Sequence, residues 1–202
     1  MTRTLKITVH QANHLPDVEM GGKNDPYAQV SLDLKAKTWP KTKTLKNAGT
    51  DPVWNQTLEL PEYNPQEQPE LYVEVIDQET GADEPIGFTT IPLNQVNSAH
   101  GHAIRGRFDL YTLDGQKKGE ILLTIAIVAP DQTEAHHPET EIRGIVTLDS
   151  EHQHRVKGLK NKERATDAAI GALGAAALGF GLNALLGGKK SAATAEDAER
   201  ED

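Results

Sequence analysis

Residues 15–27 read Leu15-Pro16-Asp17-Val18-Glu19-Met20-Gly21-Gly22-Lys23-Asn24-Asp25-Pro26-Tyr27. Three carboxylates and two glycines sit between two runs of strand character, where like charges repel unless they are solvated or hold a cation. Upstream, Leu5, Ile7 and Val9 alternate with polar neighbours, the period of a half-buried strand. Downstream, the same reading fits 27–34, 38–45, 53–60, 71–76, 86–93, 106–110 and 119–128. Turn signals separate the runs: Gly21-Gly22, Thr50-Asp51-Pro52, Glu62-Tyr63-Asn64-Pro65, Thr80-Gly81 and Asp114-Gly115. About eight short strands without a convincing helix predict an all-β, eight-stranded antiparallel sandwich and disfavour a parallel α/β sheet.

Composition supports that reading. Of nine aromatic residues in 202, seven precede position 110, so core-building material is concentrated in the first two thirds. The chain has no cysteine, which excludes disulfides, thiolate metal sites and cysteine catalysis. A net charge of −9 argues against a general nucleic-acid binder. The start, MTRTLKITVH, lacks the apolar run of a secretory signal, and the expected location is cytoplasmic.

Charge divides the chain into blocks. Residues 1–130 hold 12 basic against 17 acidic side chains, a net of −5, and read as the sandwich. Residues 131–150 carry a net of −4, residues 151–190 a net of +4 and residues 191–202 a net of −4. The expected organisation is a sandwich (1–130), a polar linker (131–160), an Ala/Gly-rich apolar segment of helical character (161–190) and an acidic tail (191–202). Within the linker, 142–148 reads as a short strand or as extended chain.

A second acidic loop follows the run 71–76: Asp77-Gln78-Glu79-Thr80-Gly81-Ala82-Asp83-Glu84-Pro85-Ile86-Gly87. If both loops share one end of the sandwich, four to six carboxylates converge. Calcium takes about six to eight hard oxygen ligands in flexible geometry, which such loops provide, whereas magnesium demands a stricter octahedron. The alternative is that these acids are only solvated loop residues.

The order and spacing of Asn24-Asp25-Pro26-Tyr27, Lys41-Thr42-Lys43-Thr44-Leu45-Lys46, Asp51-Pro52-Val53-Trp54-Asn55, Leu71-Tyr72-Val73-Glu74-Val75-Ile76-Asp77, Ile86-Gly87 and Gly119-Glu120-Ile121 resemble the C2 domain family over residues 3–130. That resemblance implies an eight-stranded sandwich whose loops at one end bind calcium and phospholipid. The strand at 119–128 implies the circularly permuted variant termed type II. The family's calcium ligands fall on Glu19, Asp25, Asp77, Glu79 and either Asp83 or Glu84; only Asp25 and Asp77 match in residue type. Lys41 and Lys43, with Lys46 and Tyr27 beside them, match positions that form a phosphoinositide-binding groove in some relatives. Gln29 stands where those relatives often have another lysine. Read from the residues alone, the same lysines serve equally as protection of a sheet edge against aggregation. Trp39 and Trp54 are expected in the core or against lysine stems.

Residues 168–188, AAIGALGAAALGFGLNALLGG, contain seven Ala, six Gly, seven larger apolar residues and one Asn. As one helix they would measure about 31 Å, near the thickness of a bilayer core. Gly171, Ala175, Gly179 and Gly187 repeat at a spacing resembling a small-residue packing ridge, or glycine zipper. The segment reads as a self-associating membrane element, a helical hairpin or a tail helix packing on protein. The pairs His100/His102 and His152/His154 lack an accompanying acidic metal motif and read as solvated loop residues. The Asn55-Gln56-Thr57 sequon falls in a predicted strand and is expected unmodified.

No nucleophile–base arrangement can be assembled, so the chain is expected to be non-enzymatic. The leading expectation is a peripheral protein that binds anionic phospholipid membranes with calcium, helped by phosphoinositide contacts and by the apolar segment through membrane contact or self-association. The alternative from a different class is a calcium-independent protein-interaction scaffold.

Overall fold

Ten strands and α-helices are present in a computed structural model that describes residues 3–19, 22–130, 132 and 135–160. They are β1 (Arg3–Asn13), β2 (Pro26–Ser31), β3 (Val53–Tyr63), β4 (Glu70–Asp77), β5 (Glu84–Pro92), a short α1 (Asn94–Asn97), β6 (Ala103–Tyr111), β7 (Lys117–Val128), β8 (Glu141–Arg143) and a helix, α2, over 150–160. The hydrogen-bonded order is β2-β4-β5-β6-β7-β1-β3, with β8 beside β6. β5 and β6 meet only at Phe88–Tyr111, so the ladder folds there into two facing sheets. One is β2-β4-β5 and the other β6-β7-β1-β3. The C-terminal strand β7 lies between β1 and β6, antiparallel to both.

The alternation seen in β1 sets the core. Leu5, Ile7 and Val9 point inward with no exposed area, facing Val73 and Val75 of β4 and packing beside Leu123 and Ile125 of β7 in one cluster. A register shift between Val9 and Gln11 leaves His10 as an extra residue against β7, whose partners step from Leu123 to Leu122, whereas toward β3 the partners step from Gln56 to Val53 and the extra residue lies on β3. The bulge resets the parity, so that Ala12 and not Gln11 is buried next.

Thr38–Leu45 differs from its expected strand. It runs along β2 with Val30 N–H donating to the Pro40 carbonyl (3.0 Å), Thr42 N–H to Ala28 (2.8 Å) and Leu45 N–H to Pro26 (3.1 Å), yet only Gln29–Lys41 forms a bridge. Pro40 has no N–H, so a continuous ladder cannot form. The eighth strand among the described residues is instead β8, which pairs parallel to β6.

Residues 141–160, expected within a polar linker, pack onto the sandwich. Arg107 pairs with Glu120 (2.9 Å) and Glu141, while Arg143 pairs with Glu120 (2.8 Å) and Asp109, fixing β8 to the sheet. Gln95 and Ile145 exchange two hydrogen bonds of 2.9 Å, and Thr147 bridges Thr90 of β5. Asp149 then caps α2, its Oδ1 accepting the His152 N–H at 2.6 Å. His152 and Val156 are fully buried on the outer face of the β2-β4-β5 sheet, Val156 against Phe88 and Tyr111. The described residues all fall within one compact unit. The Ala/Gly-rich segment and the acidic tail lie outside the described residues. Among the described residues, no helix is long and apolar enough to cross a membrane.

Candidate functional site

Strand register dictates where the acidic loops meet. Pro26 opens β2 directly opposite Asp77, the last residue of β4, so Asp25 is forced beside residues 77 and 78. The Asp25 N–H donates to Asp77 Oδ1 at 2.5 Å and the Gln78 N–H donates to the Asp25 carbonyl at 3.1 Å. Asn24, fully buried, pins the first loop: its amide donates to the Pro16 carbonyl (2.8 Å) and accepts from the Val18 N–H (3.1 Å). The Asn24 carbonyl in turn accepts the Gly49 N–H (3.0 Å), drawing the 46–51 loop to the same rim.

Asp77 is 1% exposed, and its Oδ2 is buried with no hydrogen-bond partner. Burial pushes its carboxyl above the ordinary range, the Asp25 amide opposes this, and the nearby Glu19, Asp25 and Glu84 charges push further up. Asp25 behaves oppositely. A hydrogen bond from Lys46 Nζ (2.8 Å) and one from the Asn47 N–H (2.6 Å) hold its carboxyl below the usual range.

The remaining acids line the rim in different ways. Glu19 folds back against Gly22, where any Cβ would meet its carboxylate. Asp83 accepts from the Tyr27 hydroxyl (2.8 Å) and from the Glu79 N–H (3.2 Å). Glu84 pairs with Lys160 of α2. The fold therefore brings Asp25 and Asp77 into direct contact with Glu19 and Glu84 in electrostatic reach. Among the described residues, no three acidic or imidazole groups close into a metal shell as they stand. The donor chemistry nonetheless fits a hard cation: carboxylate oxygens only, one of them orphaned in a buried position surrounded by like charge.

The lysines separate by role. Lys46 faces the acidic rim and not a basic groove. Lys41 places Nζ 4.4 Å from the centre of the Tyr27 ring, and Lys43 uses its backbone amide to bond Gln56 (2.9 Å) while its side chain is exposed. Tyr27 is 4% exposed, and its ring lies beneath the Lys41 ammonium. Burial first, then the hydrogen bond to Asp83, raise its hydroxyl pKa.

A further cluster was not anticipated. Glu74, at the middle of β4 and 1% exposed, accepts from Gln29 (2.6 Å) and Arg155 (3.0 Å), and His152 Nε2 lies 3.3 Å away. Burial pushes the Glu74 carboxyl up, but His152, Arg155 and Gln29 outweigh it and hold the group below its ordinary value. Arg155 also lies 4.2 Å over the Trp39 ring, and the His152 ring makes edge contacts with Tyr72 and Phe88. Trp54 sends its indole N–H to the Pro26 carbonyl (3.3 Å). The sequence did carry a signal for α2: Asp149 as a cap followed by His152, Val156 and Leu159 at helical spacing.

A family model described as C2 domain matches residues 3–110. A protein of Arabidopsis thaliana named "Calcium-dependent lipid-binding protein" is 38% identical over 94 residues, which cover 46% of this chain and 18% of that protein. Synaptotagmin-7 of Mus musculus is 31% identical over 126 residues, covering 60% of this chain and 31% of its own length. The chain thus spans less than a third of either relative. Among solved structures, a C2 domain of plant Extended Synaptotagmin 1 superposes with a TM-score of 0.56 at 19% identity, covering 65% of this chain and 98% of that one. The two-sheet sandwich, the joined rim loops and the match over more than half the sequence carry one conclusion: the chain belongs to the C2 domain family.

Proposed function

We propose that this protein is a phospholipid-binding module that lays its loop rim on anionic membranes and takes up calcium there. One observation carries the reading: Asp77, buried with an unpaired oxygen, touches Asp25 and is crowded by Glu19 and Glu84. Asp25, Asp77, Glu19 and Glu84 are the residues that would hold the ion, with Glu79 and Asp83 on the adjoining loop. Bound calcium supplies neutralisation of the rim and a positive centre for headgroup phosphate. Lys41 and Lys43 add contact with phosphoinositide headgroups on the neighbouring surface, each basic residue contributing on the order of 1 kcal/mol near an anionic leaflet. Residues 168–188, outside the described part, provide a second apolar membrane contact or self-association, since stable anchoring needs two weak signals. The similarity to a relative named for calcium-dependent lipid binding supports this reading.

The second reading is a calcium-independent interaction module, favoured by the lysines already paired with Asp25 and Glu84. Sedimentation of the full chain with phosphatidylserine vesicles separates the two. The first reading expects calcium to increase the bound fraction and chelator to reverse it, with Asp77→Asn abolishing the calcium response. Equal pelleting, or none, in calcium and chelator supports the second. Lys41→Ala/Lys43→Ala is expected to weaken binding to phosphoinositide vesicles and to reduce its salt sensitivity.

A further inference from the structure

Two of the carboxylates at the rim already carry a cation supplied by the chain itself. Lys46, from the loop before β3, holds Asp25 at 2.8 Å, and Lys160, from the last described turn of α2, holds Glu84. The two ammonium groups come from segments more than a hundred residues apart: Lys46 lies in electrostatic reach of Asp77, and Lys160 pairs with Glu84, whose charge also reaches Asp77. Neither reaches Asp77 Oδ2, which keeps no hydrogen-bond partner. The lysines therefore compensate the edges of the cluster and leave its centre uncompensated. A divalent ion places its charge at one point that several carboxylates can share, which two tethered ammoniums cannot do. Lys160 is 33% exposed and Lys46 63%, so their heads exchange into water readily once released.

We propose that Lys46 and Lys160 are resident counter-cations of the rim, that a divalent cation must displace them to enter, and that its entry frees the C-terminal turn of α2 from Glu84. The proposal rests on the cation-binding reading above. Release is confined to that last turn, because His152, Arg155 and Val156 anchor the preceding turns on Glu74, Trp39 and Phe88. Rim occupancy and the order of the C-terminal end of α2 are thereby coupled through a single side chain.

The test uses the full chain without vesicles. Calcium is titrated calorimetrically into the wild type, Lys46→Gln, Lys160→Gln, their combination, and Lys157→Gln. Lys157 is the control: it lies one turn from Lys160 with the same charge, is exposed and makes no ion pair among the described residues. Hydrogen exchange over 150–160 is read with and without calcium. The expected result is tighter calcium binding in both single variants, by about threefold for Lys160→Gln as for an exposed ion pair. Lys157→Gln should give a clearly smaller change. Calcium should speed exchange in the last turn of wild-type α2 but not in Lys160→Gln. Equal gains from all three single variants, or α2 exchange that ignores calcium, would leave the lysines as diffuse charge and overturn the coupling while calcium binding stands. Absence of calcium binding in every variant removes the cation-binding reading itself, and the coupling with it.

Discussion

The backbone amide of Asp25 lies 2.5 Å from Oδ1 of Asp77, 52 positions away in the chain. That bond ties the loop before β2 to the end of β4 and consumes one oxygen of a buried carboxylate, leaving the other without a hydrogen-bond partner. The rim's electrostatic strain comes from burial of this carboxylate beside Glu19, Asp25 and Glu84, which the Asp25 amide offsets only in part.

Asp77→Asn relieves that strain. A carboxyl whose folded pKa is raised contributes stability below its unfolded pKa and loses it as pH rises through the folded value, so at neutral pH ionised Asp77 costs stability. An asparagine oxygen still accepts the Asp25 N–H. In chelator at pH 7 the variant should melt about 2–4 °C higher than wild type, the size of one ordinary stabilising change in a chain of this length. Calcium should raise the wild-type midpoint and leave the variant unmoved. A variant that melts lower in chelator contradicts the proposed strain.

Glu74 has the opposite sign. Its folded pKa is depressed, so it contributes stability above the unfolded value near the ordinary glutamate range and loses that contribution as pH falls through the folded value. Acidification from about pH 5 downward should undock α2, followed by Trp39 fluorescence in a Trp54→Phe background. Glu74→Gln should flatten this acid dependence. Glu74→Ala, which leaves the buried His152 and the Arg155 head without their anion, should cost about 3–5 kcal/mol.

α2 is an integral part of the sandwich, and its removal should expose Phe88, Tyr111 and Trp39. Val156→Ala deletes two fully buried methyl groups, a loss of about 2 kcal/mol. Ending the chain at residue 148 should lower the melting midpoint further and create binding of a hydrophobic dye. Unchanged stability in the shortened chain would mean that the helix only rests on the surface.

Gly144 is required by close approach. A Cβ there would overlap the ring of Phe108, which is fully buried and cannot retreat. Gly144→Ala should cost about 1–3 kcal/mol and raise hydrogen exchange across 141–147 without affecting calcium binding. Exchange unchanged in β8 would show that the ring yields.

Local chemistry made much of this molecule legible. The alternation of Leu5, Ile7 and Val9, the turn residues and the acidic runs before Tyr27 and after Asp77 all act within a few residues of themselves, and they specified a β-sandwich with two acid-rich loops. Strand pairing turned that list into a site, because only the β2–β4 register puts Pro26 opposite Asp77.

Tertiary structure decided what the sequence left open. Lys46 belongs to the acidic rim because its loop reaches Asp25, and Tyr27 is a buried wall because Lys41 and the Asp83 loop close over it. Residues 141–160 have the polarity of a linker, since most of their side chains are polar or charged and only His152 and Val156 become fully buried. What draws them onto the sandwich is a partner set scattered over Trp39, Glu74, Phe88 and Arg107. Composition records how many charges a segment carries. It does not record that a matching charge waits on a distant strand, and long-range pairing of that kind exists only once the chain has folded.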